Sequence, residues 1–341
     1  MERSGDDFMA GYVVSILERD LHWETKSYLL EIDHGVVTIT LFRDDPVRRE
    51  DAEKQLRTID GLKGLAIVVK PSTVPSFPEG ESSERPLRWE RFPAGDLFRP
   101  LLADPKQAQF FVGVNRFSSS GARYTMASVG FGETFGLSRL NGHQEGNGLQ
   151  FGIEGGIFAR FNLSSASNDL VNADYTIGIP VTWRYGGNSI RSRLYHQSSH
   201  LGDELLLGGN PPERVNLSYE SVELIYSREW LGWRLYAGGE YLIHKEPADL
   251  EPLSAHWGLE YRGAGVLLWK GRPIGGVDMK CLEEHDWAVD VSIKAGLEFG
   301  HPDPGNRRLR LMGVWYKGFD PRGQFYSNEV EIYGLELSLG F

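Results

Sequence analysis

Cysteine is almost absent: the chain has one, Cys281. That excludes an intramolecular disulfide and any cysteine-based zinc cluster. No stretch approaches ~20 uninterrupted apolar residues, so no transmembrane helix is encoded. Positive charge is in deficit, with 36 Lys and Arg against 47 Asp and Glu and a formal net charge of −11. With no basic stripe, this argues against a nucleic-acid partner. There is no P-loop and no dinucleotide fingerprint. Met1 to Met9 lacks the apolar core of a secretory signal peptide.

What is present is alternation. Tyr333, Leu335, Leu337, Leu339 and Phe341 alternate with Gly334, Glu336, Ser338 and Gly340. Strict period two makes a strand with one apolar and one polar face. The same pattern recurs from Ala108 onwards. Twelve segments begin near Phe110, Thr125, Leu149, Ala173, Ile190, Asn216, Trp233, Ala255, Ile274, Trp287, Arg308 and Glu331. A soluble sandwich buries its apolar faces and wets its polar ones. Twelve faces this aromatic would need more covering structure than the chain supplies. The reading is therefore mainly β: a twelve-stranded antiparallel transmembrane β-barrel over residues 106–341. Such barrels escape hydropathy scans because every second residue is polar.

In the barrel reading the polar faces line the lumen. They bring together Arg184, Arg234, Glu240, Glu260, Arg262, Asp278, Lys280, Asp290, Lys294, Glu298, Arg308 and Arg310, mixed charges that would pair and narrow or plug the pore. The short connections Gly186 to Ser189 and Glu229 to Gly232 fall at the inner end. The longer loops Asp203 to Glu213, Lys245 to Leu253 and Gly318 to Asn328 fall at the outer end. His301 to Asn306 is a long inner turn. Cys281 shares an apolar register with Val277 and Met279 and is expected to pack or face lipid.

The first 70 residues read differently. Tyr12 to Leu21 has helical spacing, Tyr28 to Ile32 and Gly35 to Leu41 are strands, Pro46 to Ile59 is a helix, and Leu65 to Val69 a strand. This order makes a small α+β domain. The stretches "HGVVTITL" and "REDAEKQLRTIDGLKGLAIVV" resemble a BON domain, departing from it at Phe42 and Arg43. The resemblance implies a periplasmic module that contacts phospholipid or another envelope component. A tethered module with no ligand is the alternative. Residues 71–105 form a Pro-, Ser- and Glu-rich linker followed by the apolar "FPAGDLFRPLLADP", expected to pack against the barrel mouth.

The aromatic-ended last strand is similar to the insertion signal of bacterial outer-membrane barrels. It implies the barrel-insertion machinery as a partner through Phe341, and outer-membrane lipids around the barrel. "FPAGDLFRPLLADP" with "YHQSSHLGDE" resembles a bacterial outer-membrane family, a domain of unknown function. The resemblance implies residence in the bacterial outer membrane with the N-terminal domain in the periplasm. Export there uses a signal peptide, so the expected form is a mature chain with a replacement Met. A cytoplasmic protein is the alternative.

One constellation carries chemistry. On the fifth strand Arg191 and Arg193 face the lumen, so His196, Ser198 and His200 face outward. A hairpin symmetric about Leu207 to Gly209 sets His196 opposite Glu220, within roughly 5 Å. Ser198 as nucleophile, His196 as base and Glu220 or Asn216 as orienter would form a triad. The His-x-Ser motif with its third member on the next strand is similar to outer-membrane phospholipase A and to the lipid A deacylase barrel. It implies a lipid acyl hydrolase. Ser199 and His200 depart from the Ser-Asn-Gly of the phospholipase, which puts its oxyanion site in doubt. Polar residues that hold the outer rim are the alternative. A second reading gives His200, Asp203 and Glu204, with His196, a metal ion, calcium being the cation for outer carboxylates. Two functions remain open: a structural, binding or narrow-conduit barrel, and an outer-leaflet hydrolase.

Overall fold

A computed structural model describes residues 3–21, 23, 28–33, 35–41, 46–59, 62–69, 86–144, 146–207, 214–300 and 307–340. The chain forms two compact units, Met1–Ser83 and Glu84–Phe341.

In the first unit, α1 (Arg3–Ser15) runs into a π-helical turn (Ile16–Asp20). Then come β1 (Tyr28–Asp33), β2 (Val36–Leu41), α2 (Pro46–Leu56) and β3 (Gly64–Val69). β1 and β2 form an antiparallel hairpin, and β3 lies parallel to β2. Alternation on β2 buries Val37, Ile39 and Leu41 against Val13 and Leu17 of the first helix and Ala52 and Leu56 of α2. Pro46 opens α2, where its missing N–H costs nothing. The helix starts nine residues before Tyr12 because the apolar stripe marks only its packed half. His34, in the expected hairpin turn, lies outside the described residues, as do Phe42 and Arg43.

The second unit opens with a short strand, β4 (Arg88–Arg91). Twelve long strands follow: β5 (Phe110–Ser119), β6 (Ala122–Asn141), β7 (Gly148–Asn162), β8 (Leu170–Tyr185), β9 (Asn188–Leu201), β10 (Ser218–Trp230), β11 (Trp233–Glu246), β12 (Leu253–Arg262), β13 (Arg272–Leu282), β14 (Val289–Gly300), β15 (Arg308–Phe319) and β16 (Glu329–Gly340). Each pairs antiparallel with its sequence neighbour, and β16 pairs back onto β5, which closes the barrel. Every strand begins within three residues of the position read from alternation. Trp287 is a turn residue: it and Asp286 have φ of 60° and 53°, which no strand accommodates.

The two faces separate as alternation requires. On β9, Arg191, Arg193, Tyr195, Gln197 and Ser199 are buried. On β16, Glu336 and Ser338 are buried, while Tyr333, Leu335, Leu337 and Leu339 are exposed. None of the described residues covers this apolar outer face, and a closed barrel with such a face is built to be solvated by lipid. Tight turns at Gly186–Gly187 and Leu231–Gly232 lie at the end where β5 begins. Longer loops leave the opposite end, at Pro247–Pro252 and Asp320–Asn328, and β9 and β10 are joined at the same end, residues 208–213 lying outside the described ones. At the end where β5 begins, the described Gly263–Gly271 loop is long, with nine residues. His301 to Asn306 and Phe341 lie outside the described residues.

The segment between β4 and β5 runs through the lumen. Phe98 and Leu101 pack on Ile225 and Tyr236, and Leu102 packs on Ile274 and Met312. Leu97 to Leu102 meet Arg184, Arg234 and Glu260 near the strand ends at the mouth where β5 begins, and residues 103–107 continue deeper to Ser292 and Asp174. The short apolar run has no alternation, so its sequence carries apolarity without direction. The lumen supplies both an apolar seat and cationic donors for its carbonyls. Cys281 is buried on β13, opposite Ala255 and Val289.

Candidate functional site

The lumen holds a web of charge. Arg191 and Arg193 both reach Glu223, at 3.0 and 2.8 Å, and Arg193 also meets Glu154. Lys280 pairs with Glu240 at 2.9 Å, Lys294 with Glu336 at 2.9 Å, and Arg310 with Glu298 at 2.9 Å. Arg160 pairs with Asp320 at 2.7 Å. These charges are nearly all desolvated. Where a charge has a single partner, as Lys294 has Glu336, removing that partner would leave it buried and uncompensated.

The lumenal strap, residues 93–107, is tied into that web through its backbone. Leu102 N–H donates to Glu260 Oε1 at 2.6 Å, and Arg234 Nη1 donates to the Arg99 carbonyl at 2.8 Å. Arg184 donates to the Leu97 carbonyl at 3.2 Å, and Ser292 Oγ to the Ala103 carbonyl at 2.6 Å. Lys106 Nζ reaches Asp174 at 2.6 Å. Non-repetitive backbone at this depth is tolerated because protein groups satisfy it.

The outward face of β9 carries the candidate catalytic residues. His196 lies opposite Glu220, as the symmetric hairpin requires, and its Nδ1 is 2.8 Å from Glu220 Oε1. Ser198 faces the same way, between Tyr175 of β8 and Ser218 of β10. No side-chain hydrogen bond joins Ser198 to His196. Among the described residues Asn216, exposed just before β10, makes no side-chain hydrogen bond either. Of the three expected residues, His196 and Glu220 are in hydrogen-bond contact and Ser198 is not.

A residue that alternation hides completes the cluster. His244 Nδ1 is 2.9 Å from Glu220 Oε2. Strict alternation from Tyr241 and Ile243, both outward, would turn His244 into the lumen. A β-bulge between Glu220 and Ser221 shifts the register, so His244 instead pairs with Glu220. Only the bulge could have revealed it, and no residue type marks it. All three side chains are open to the surroundings, with 39%, 41% and 76% exposure for His196, Glu220 and His244.

The metal reading does not assemble. Among the described residues no three His, Cys, Asp or Glu side chains share a site suited to a metal ion. His200 packs edge-on against Tyr175, with ring centroids 5.7 Å apart. Asp203 and Glu204 sit exposed on the one-turn helix α3 (Asp203–Leu206).

Residues 76–341 match the family described as "Protein of unknown function (DUF1207)". The chain belongs to this family. A search of curated proteins found no match. Among solved structures, the DUF1207 chain is similar to the Salmonella typhi outer membrane phospholipase dimer with bound calcium. The identity is 11% and the TM-score 0.48, covering 72% of this chain and 95% of that one. The Escherichia coli outer membrane phospholipase A is similar at 11% identity and TM-score 0.45, covering 71% and 93%. The β domain of a Bordetella autotransporter is similar at 13% identity and TM-score 0.38, covering 69% and 100%.

Proposed function

We propose that this DUF1207 protein is a sealed barrel of the bacterial outer membrane with a structural and binding role, and not a conduit. The observation that carries the reading is the strap. Residues 93–107 lie in the lumen and bond through their own backbone to Arg184, Arg234, Glu260 and Ser292. The inner end carries short turns and the outer end longer loops, as barrels inserted from the periplasm have. The chain enters β5 at the inner end, so the first unit belongs in the periplasm. Its helix–strand–strand–helix–strand order supports a BON-like module that contacts an envelope component. Insertion runs through the assembly machinery, with the Phe341 strand as signal. The test is conductance in planar bilayers. The intact protein is expected to be silent, and a variant lacking residues 93–105 to conduct. Steady conductance by the intact protein would overturn the sealed reading.

The His196–Glu220 hydrogen bond favours a second reading, an outer-leaflet acyl hydrolase. With Nδ1–H donating to Glu220, Nε2 is left as the base. Ser198 Oγ would attack an ester carbonyl, passing its proton to His196 and on to the departing lysolipid oxygen. Water would then cleave the acyl-enzyme. The measurement is lysolipid release from phospholipid and lipid A in mixed micelles with calcium, for wild type and Ser198→Ala. Release by wild type alone supports hydrolysis, and equal silence from two folded proteins removes it for these substrates.

A further inference from the structure

Between the strap and the outer loops the lumen opens into a cavity of about 160 Å³. That is close to the ~150 Å³ that accommodates a benzene-sized molecule. Eight carboxylates line it against three Lys or Arg side chains. Several of those acids are already matched: Glu223 by Arg191 and Arg193, Glu240 by Lys280, Asp320 by Arg160, and Asp278 by His256 at 2.6 Å. Asp104, Glu251, Glu284 and Asp290 have no Lys or Arg partner among the described residues. The surplus is negative, and it is concentrated on one cavity.

Asp290 is the deepest of the four, with 8% of its surface exposed. Its Oδ1 accepts the Phe319 N–H at 2.7 Å, which aims the carboxylate, and its Oδ2 has no hydrogen-bond partner among the described residues. Lys280, the nearest cation on this wall, is committed to Glu240. The chain makes room for this carboxylate: a Cβ on Gly318 would sit 2.1 Å from Asp290 Oδ1. Beside it the wall is aromatic. Phe319 stacks on His285 at 3.7 Å, and Tyr326 lies beyond it at 6.2 Å. Tyr316 is buried on the same wall.

We propose that this cavity binds a small organic cation, an ammonium on a ring or short alkyl group. Asp290 would hold the charge, and the Tyr316, Phe319 and Tyr326 rings would hold the apolar part. A buried carboxylate whose cross-strand lysine, Lys280, bonds to another acid has room for a cation of its own, and ring faces attract an ammonium while offering nothing to a neutral alcohol. A hydrated inorganic ion would need several oxygen ligands converging at one point, which no group here provides. The inference deepens the sealed-barrel reading by giving its binding role a ligand class.

The test is calorimetric titration of benzylammonium into the folded full-length protein in a non-ionic detergent. Saturable one-to-one binding is expected, weakened at least tenfold by Asp290→Asn and weakened by salt, with no binding of benzyl alcohol. If Asp290→Asn loses its heat-modifiable fold, Glu284→Gln and Tyr326→Leu serve in its place, and each should weaken binding several-fold. No saturable binding, equal binding of benzyl alcohol, unchanged affinity in the folded variants, or binding of calcium in preference to benzylammonium would each overturn the proposal. Conductance by the intact protein with binding retained would fail the sealed reading and leave the cation site standing.

Discussion

Arg234 of β11 donates from Nη1 to the carbonyl oxygen of Arg99 at 2.8 Å, joining the barrel wall to a strap with no secondary structure of its own. The same guanidinium stacks over the Phe98 ring, 4.5 Å from its centroid, and lies 3.4 Å from Glu260. Glu260 in turn accepts the Leu102 N–H at 2.6 Å. One cation therefore satisfies a carbonyl, covers an aromatic ring and neutralises the carboxylate that holds the next turn of strap.

Arg234→Met should release the strap. The substitution strips buried Glu260 of its 3.4 Å partner and leaves it only the longer 3.7 Å contact to Arg262, so the expected cost lies below the roughly 3–5 kcal/mol of a wholly broken buried pair. The expected outcome is a lower urea midpoint in detergent, together with faster proteolysis between Pro93 and Gln107. Replacing Arg234 and Glu260 together with Met and Leu should recover much of the midpoint, because no lone charge remains. If the double variant is as unstable as the single one, the pair is not what anchors the strap.

Leu335→Arg should hinder insertion. Leu335 lies midway along β16, 64% exposed, opposite Val114 of β5 and Gly313 of β15. A cation on the lipid face near mid-membrane costs about 2–4 kcal/mol. The cost should be seen in folding equilibria in phospholipid vesicles and should shrink for the same change at Tyr333, nearer the strand end. Equal folding of Leu335→Arg and wild type would mean that lipid does not contact this face.

The barrel was legible because alternation has a fixed period and two unlike solvents on its two sides. Each of Val289, Ile293 and Leu335 could be assigned a face from sequence alone. Glu220 could be placed opposite His196 because a closed hairpin makes register a matter of counting. Three features were out of reach for physical reasons. His244 joins Glu220 through a bulge, which inserts a residue without changing composition. The strap is seated by arginines 87 and 135 residues away, Arg184 and Arg234. Trp287 continues an apolar pattern, but its backbone has φ of 60°. Pattern reports which side chains would share a face if the strand persisted, and only tertiary context decides whether it does.

Gly130→Ala should be destabilising through Phe111. The two residues are cross-strand partners, and the Phe111 ring lies over the glycine. A Cβ on Gly130 would sit 2.1 Å from the ring. The ring cannot swing outward without leaving its seat beneath Lys294, whose Nζ lies 5.7 Å from its centroid. Overpacking of this kind costs about 1–3 kcal/mol. Combining Gly130→Ala with Phe111→Leu should cost less than the sum of the two single changes, and strict additivity would show that the ring does not need the glycine.

The outer loops should loosen in acid through His285. This residue lies in the β13–β14 loop, stacked on Phe319 at 3.7 Å, and burial there pushes its imidazole below the usual value of 6.5. A base whose folded value is depressed favours the folded loop when neutral. The loop's stabilisation is thus complete above about pH 6.5 and is lost as pH falls from there through the lowered value. The expected observation is a His285 ring-proton titration by NMR with a midpoint below 6.5, accompanied by faster hydrogen exchange in residues 283–288 and 320–328. His285→Phe keeps the stack and removes the charge, so its loop exchange should not respond to pH between 4 and 7 beyond the intrinsic chemistry. An unshifted midpoint, or identical acid response in the Phe variant, would place the pH sensitivity elsewhere.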